Sequence, residues 1–162
     1  MMYLLDANVF ITAKNVHYGF DVVPGFWDWV DAAVALRRAI SIDKVQEELR
    51  AQRDELSEWA RDRSTMFRRS DEDLTPALIA IAQWATAQPR FEQAALATFL
   101  DSADYFLIAH ALTHGDAVVT HEVPAPASKT RVKIPDACIG IGVRYTNPYA
   151  MLRTERARFE LR

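Results

Sequence analysis

The chain opens on Met2-Tyr3-Leu4-Leu5, an apolar run that stops abruptly at Asp6. A run this short ends too soon for a helix and reads as a strand buried on both faces. The pattern recurs at Ile40-Ser41-Ile42 and at Ala117-Val118-Val119-Thr120, each followed by polar residues. Between such runs lie segments with helical spacing, for example Phe26, Trp29, Val30, Ala33, Val34 and Leu36. Short buried strands alternating with helices predict an α/β chain built on a parallel sheet with helices on both faces. Ligands in such sheets sit beyond the carboxyl ends of the strands, which directs attention to the polar residues found there.

The rest of the chain fills in around these strands. Helices are expected over about 8–12, 26–39, 44–63, 74–87, 90–100 and 102–114, with Asp43 and Gln46 forming a capping box and Asp101 capping the last of them. Gly115 should end that helix. Residues 68–71 read as a polar stretch and 122–131 as a loop, while 132–134 and 143–146 read as short strands. Asn147-Pro148 starts a terminal helix over about 147–160. A length of 162 residues suits one domain over 1–162. The aromatics Trp27, Trp29, Trp59 and Trp84 lie at core-compatible spacing, whereas Tyr18 and Phe20 fit either packing or base contact.

Composition narrows the function classes. A single cysteine, Cys138, excludes a disulfide framework or a cysteine-rich zinc site. No apolar stretch approaches the roughly 20 residues of a membrane span, and the N-terminus lacks the basic start and apolar run of a signal peptide. A soluble cytoplasmic protein without a membrane partner is expected. With 19 basic against 22 acidic residues, the net charge of −3 argues against binding nucleic acid by bulk charge. A phosphate-rich partner needs a local patch or a metal.

Four carboxylates stand where the strand-end rule points. Asp6 follows the first strand, Glu48 lies one turn into the helix after the second, Asp104 opens the helix that feeds the third, and Glu122 follows that third strand. Two unit charges about 4 Å apart repel by about 4 kcal/mol at an effective dielectric of about 20. Such a cluster calls for a cation, and an all-oxygen donor set points to Mg²⁺ or Mn²⁺ rather than zinc. Mg²⁺ keeps several waters, one of which can attack a phosphodiester. Lys129, Arg131 and Lys133 follow in sequence and suit a phosphate backbone, as do Arg153, Arg156, Arg158 and Arg162 in the tail. Each acid also has an ordinary reading: Asp6 as a helix cap, Glu48 as part of a solvated face, Asp104 as a first-turn acid and Glu122 as a loop residue. The histidines show no zinc-ligand spacing, and His121 alone stands beside the acids.

These residues resemble the motifs of PIN-domain nucleases. Leu5-Asp6-Ala7-Asn8-Val9-Phe10-Ile11 is similar to their opening motif, and Val45-Gln46-Glu47-Glu48-Leu49 to the second, which selects Glu48 over Glu47. Asp104-Tyr105-Phe106-Leu107-Ile108-Ala109-His110-Ala111 resembles the third, and Val118-Val119-Thr120-His121-Glu122 the fourth. The fourth departs from the family in carrying Glu122 where an Asp is usual. Lys133-Ile134-Pro135-Asp136-Ala137-Cys138 and the terminal helix resemble a PIN-like subfamily catalogued as a domain of unknown function, similar to VapBC-type toxins. The resemblance implies a PIN-like three-layer α/β/α sandwich with a short parallel central sheet. It implies Mg²⁺- or Mn²⁺-dependent cleavage of RNA, a protein antitoxin that blocks the site, and homodimers. In the roles so implied, Asp6 and Asp104 bind metal and Glu48 orients a water or adds a ligand. Glu122 completes the acidic edge, and Asn8 and Thr120 position carboxylates or a scissile phosphate by hydrogen bonds.

Two other readings compete. A haloacid-dehalogenase-type phosphatase places a second Asp two residues after the first, where this chain has Asn8, and no glycine-rich catalytic loop follows. A PIN-like module that binds RNA or protein without cutting is the other, and the Glu122 exchange leaves room for it.

Overall fold

The computed structural model describes residues 1–161. Its centre is a parallel sheet of five strands in the order β3-β2-β1-β4-β5. The strands are β1 (Tyr3–Leu5), β2 (Ala39–Ile42), β3 (Phe67–Arg68), β4 (Ala117–Val119) and β5 (Tyr145–Thr146). Successive strand residues point to opposite faces. Leu4, Leu5, Val118 and Val119 are nevertheless all 0% exposed, so helices cover the sheet on both sides. This is the three-layer α/β/α sandwich with a short parallel sheet expected from the buried runs and the motifs. The core is one continuous apolar cluster running from Tyr3 to Leu152.

The helices are α1 (Ala7–Thr12), which continues as a π-helical turn over Ala13–His17, then α2 (Pro24–Ala35), α3 (Asp43–Ala51) and α4 (Glu55–Arg61). They continue with α5 (Thr75–Thr86), α6 (Gln93–Leu100), α7 (Ala103–His114), α8 (Ile134–Ile141) and α9 (Pro148–Thr154). Helix α7 packs on α3, α5 and α8 and against β2 and β4. It therefore carries its first turn, with Asp104, to the carboxyl edge of the sheet. On the aromatic side of the core, Phe20 stacks on Trp27 at 4.1 Å and Trp27 meets Trp59 at 4.9 Å. Tyr18 stacks on Phe26 at 4.6 Å, so both loop aromatics serve packing. No helix among the described residues is long and apolar enough to cross a membrane.

Several local expectations are corrected. The single helix over 44–63 is two helices, parted at Arg53, which adopts a left-handed φ of 51°. The capping box does not form, because the Asp43 carboxylate accepts from Ser70 at both oxygens and Gln46 donates to the Ala60 carbonyl. Ser102 rather than Asp101 caps α7, through its hydroxyl and the Tyr105 N–H. Residues 132–134 are not a strand; they lead into α8, whose start is set by Pro135 in the first turn. A strand at Phe67–Arg68 adds an edge where only a polar stretch was expected.

The terminal helix stops at Thr154 rather than near residue 160. Arg156 takes a φ of 54°, and its N–H and that of Ala157 return to the carbonyls of Arg153 and Leu152. That is a Schellman ending with arginine in the place glycine usually fills. The following chain turns back, and Phe159 lies against Tyr18 and Phe26. Arg37 closes α2 in the same way, with a φ of 55°. Gly115 and Gly142 end α7 and α8 with φ of 71° and 81°.

Candidate active site

Asp6 is the first residue past β1 and Thr120 the first past β4. The strand order reverses between these two strands, which opens a crevice beyond their carboxyl ends. Asp6 does not cap α1 with its side chain, although it stands at the capping position. Its Oδ2 accepts instead from Thr120 Oγ1 at 2.8 Å, across the seam. Thr120 Oγ1 in turn accepts from Asn8 Nδ2 and from the Glu122 N–H, both at 3.1 Å. Asn8 Oδ1 accepts from the His121 N–H at 3.1 Å, which sets the orientation of the amide. Asn8 and Thr120 thus hold Asp6 in one rotamer and tie the start of α1 to the segment after β4.

The four acids meet electrostatically at this edge. Asp6 is 5% exposed, and burial, the Asp104 charge and the Glu122 charge push its carboxyl up to about 8, against the Thr120 hydrogen bond. Asp104 is pushed up to about 6 by burial first, then by Glu122 and Glu48, while Arg131 and Lys133 oppose the shift. Burial also raises Glu48. Among the described residues, neither Asp6 nor Asp104 forms an ion pair. A buried acid, Asp6, that feels the charge of a half-buried one, Asp104, without a cation is under electrostatic stress that a divalent ion relieves.

Glu122 is engaged differently. Its side chain is 8% exposed, with Oε2 3.3 Å from Arg131 and Oε1 accepting from the Ile134 N–H at 3.2 Å. Both oxygens are therefore taken up in fastening the loop to the start of α8. Asp136, which the sequence reading passed over, does similar work: it is buried and accepts from the Ala125 N–H at 2.9 Å. An acid in the first turn after Ile134-Pro135 was the only signal for it.

The basic residues divide. Arg131 lines a cleft of about 900 Å³ together with Glu48, Asp104, Phe106 and Lys44. Lys133 does not line this cleft, although its charge reaches Asp104. Lys129 is exposed and enters only through its backbone carbonyl, which accepts from the Glu92 N–H. Lys44, not singled out from sequence, stands over the Phe106 ring at 5.3 Å. Arg153, Arg156 and Arg158 lie along and beyond α9, and Arg162 falls outside the described residues.

Among the described residues, no three His, Cys, Asp or Glu side chains converge tightly enough to hold an ion by themselves. Mg²⁺ does not require that, since it usually binds through one or two carboxylates and retains water. The Asp6–Asp104 pair, with its stressed acids and no partner cation, fits such an ion, with Glu48 in reach as an outer acid.

A family model described as Domain of unknown function (DUF4411) matches residues 3–159. The chain belongs to the DUF4411 family. In this DUF4411 protein the matched span takes in every strand of the sheet and all four acids. The fold is similar to FitAcB from Neisseria gonorrhoeae, with a TM-score of 0.56, 18% identity, and coverage of 91% of this chain and 99% of that one. It is also similar to VapBC2 from Rickettsia felis bound to a DNA fragment from their promoter, with a TM-score of 0.51 and 13% identity over 91% of this chain and 98% of that one. At these identities the likeness is one of fold. No curated protein matches the chain.

Proposed function

We propose that this DUF4411 protein is a Mg²⁺- or Mn²⁺-dependent endoribonuclease, the toxin of a toxin–antitoxin pair. The observation that carries the reading is the pair formed by the buried Asp6 and the half-buried Asp104, raised to about 8 and about 6 at the carboxyl edge of the sheet. Asp6 and Asp104 hold the ion, and Glu48 stands beside them to accept a proton or orient water. When bound, the ion supplies charge stabilisation at a phosphate oxygen and makes water a better nucleophile. Thr120 and Asn8 keep the Asp6 carboxylate aimed. Arg131, Lys133 and Lys44 draw the phosphate backbone into the cleft. Glu122 acts as the clasp that holds the Arg131-bearing loop on α8.

The motif order, the shared fold and the VapBC-type resemblance support a protein antitoxin that covers this cleft, a homodimer and a cytoplasmic setting. The phosphatase alternative finds no support at position 8, where the Asn8 amide is consumed by Thr120 and His121. The test is incubation of the purified protein with mixed cellular RNA. Fragments are expected with Mn²⁺ and none with EDTA or with Asp6→Asn. Cleavage by a folded Asp6→Asn variant at the parent rate, or Mn²⁺ binding without any cleavage, removes the nuclease reading.

A further inference from the structure

Three rings that the chemistry above does not use meet beside the acidic centre. His17 closes the π-helical turn after α1, His121 follows Thr120 directly, and Tyr149 lies in the first turn of α9. The Tyr149 hydroxyl and His17 Nε2 are 2.6 Å apart. The His17 and Tyr149 rings meet edge-on at 5.6 Å, the His121 and Tyr149 rings at 5.8 Å, and the two imidazoles at 6.4 Å.

Their place relative to the acids is fixed by hydrogen bonds. The His121 N–H is held by Asn8, Asn8 donates to Thr120, and Thr120 donates to Asp6. In strand order, Glu48 follows β2 on one side of the β1–β4 seam and Tyr149 follows β5 on the other. A polynucleotide whose phosphate lies over the seam, with one flank in the cleft beside Arg131 and Lys44, extends its other flank toward these rings.

The cluster also has the surface such a contact needs. His17 is exposed and the other two rings are partly so, while Val9, Ala13, Tyr18, Phe26 and Pro148 back them from below. Burial first, then the neighbouring His17, holds the His121 imidazole below its usual range, which favours the neutral form of His121. Flat rings with polar edges stack on a base and bond to its rim. The π-helical turn that delivers His17 is a rare backbone form, frequent at functional sites.

We propose that His17, His121 and Tyr149 form a nucleobase-binding rim, which takes an unpaired base of single-stranded RNA next to the phosphate that lies over the ion-binding pair Asp6 and Asp104. The proposal rests on the ribonuclease reading and deepens it. A duplex end offers no splayed base, so the rim also favours single-stranded substrate.

The test uses RNA oligonucleotides with 2-aminopurine at each position in turn, against the whole protein as parent, His17→Ala, Tyr149→Leu and Tyr149→Phe. The parent is expected to quench the probe at one position, and Tyr149→Phe to keep that quenching. His17→Ala and Tyr149→Leu are expected to lose it and to weaken RNA binding about tenfold. With Mn²⁺, an abasic residue at that position is expected to raise KM about tenfold for the parent and less than about twofold for Tyr149→Leu, with kcat retained in both. Equal abasic penalties in parent and variant, or quenching that survives both ring deletions, overturn the rim and leave the nuclease reading standing. RNA that is bound with ring-dependent quenching but never cut removes the nuclease reading and keeps the rim. Absence of RNA binding by the parent overturns both.

Discussion

Thr120 Oγ1 donates to Asp6 Oδ2 at 2.8 Å, across 114 residues of chain and across the seam between β1 and β4. One hydroxyl therefore serves an acid on the first strand, an amide on α1 and the backbone of Glu122. Thr120→Val keeps the shape and removes all three bonds. RNA cleavage is expected to fall about ten- to hundredfold, as for the loss of an outer-shell partner at a metal site. Thr120→Ser restores the hydroxyl and is expected to stay within about threefold of the parent. A Thr120→Val enzyme with parental rate would show that Asp6 needs no such support.

The stress at Asp6 has a consequence for stability. Its folded carboxyl is raised from an ordinary 3.8 to about 8, so the metal-free fold prefers the protonated form. Stability from this group is fully present below about pH 4 and is lost as pH rises toward about 8. Asp104 adds the same sign between 3.8 and about 6. In EDTA at pH 8, Asp6→Asn is therefore expected to raise Tm by at least about 5 °C. Mn²⁺ is expected to raise the parent Tm at that pH and to leave Asp6→Asn nearly unchanged. A parent Tm insensitive to both Mn²⁺ and Asp6→Asn would count against the stressed pair.

Glu122 and Asp104 should separate on metal titration. Asp104→Asn is expected to weaken Mn²⁺ binding by at least about tenfold in calorimetry. Glu122→Gln keeps an acceptor for the Ile134 N–H and loses the Arg131 pair, so its Mn²⁺ affinity should change by less than about threefold. Its RNA affinity should change with the position of Arg131. Equal metal losses for the two variants would make Glu122 a direct ligand.

His110 governs the acid side. It is fully buried on α7, its Nε2 is 3.0 Å from Ser70 Oγ, and Ser70 spends its proton on Asp43 at 2.6 Å. Nε2 must then carry the ring proton, which leaves Nδ1 bare and unpartnered. Burial first, then Arg68, lowers the imidazole from 6.5 to about 4. The unfolded chain binds a proton that the folded one refuses, so this contribution is full above about pH 6.5 and is lost as pH falls toward 4. His110→Leu is expected to gain on the parent progressively over that window, by up to about 3 kcal/mol at its acid end. Denaturant melts at pH 7, 6 and 5 check it; parallel curves would exclude a buried neutral His110.

Gly140 has no room for a side chain. A Cβ there would meet Trp84 Nε1 at 2.0 Å, so α8 must shift away from α5. Gly140→Ala is expected to cost about 1–3 kcal/mol, the range of core overpacking. Because α8 supplies the N–H that Glu122 accepts, cleavage should fall as well. Trp84→Leu is expected to restore most of both losses in the double variant. Retention of parental stability by Gly140→Ala alone would mean the two helices part without strain.

The central strands and the long helices were readable because their cause is local. Leu4-Leu5 and Val118-Val119 are apolar on both faces, and a strand buried twice has no other way to look. Asp6 and Asp104 were readable as well, since one directly follows a strand and the other opens a helix. What stayed hidden depends on partners far away in sequence. Phe67–Arg68 became a strand because β2 offered it an edge at Ser41 and Ile42, which no local pattern announces. The helices that end at Arg37, Arg53 and Arg156 carry no glycine to mark the stop. The Asp43 carboxylate left its expected capping partner for Ser70, 27 residues on. Glu122 read as a free acid until α8, itself unforeseen, presented the Ile134 N–H.

The central position of β1 means that its two neighbours arrive at very different times during synthesis. Register with β2 is available once about residue 40 is made, but Leu5 meets Val119 only after most of the chain exists. A nascent chain that ends before β4 holds Asp6 without Thr120 and lacks the loop that brings Arg131. Long-range pairing of this kind also forms slowly. The Asp6–Thr120 bond therefore cannot form before β4 is made, and a copy released earlier lacks the contact that aims the Asp6 carboxylate.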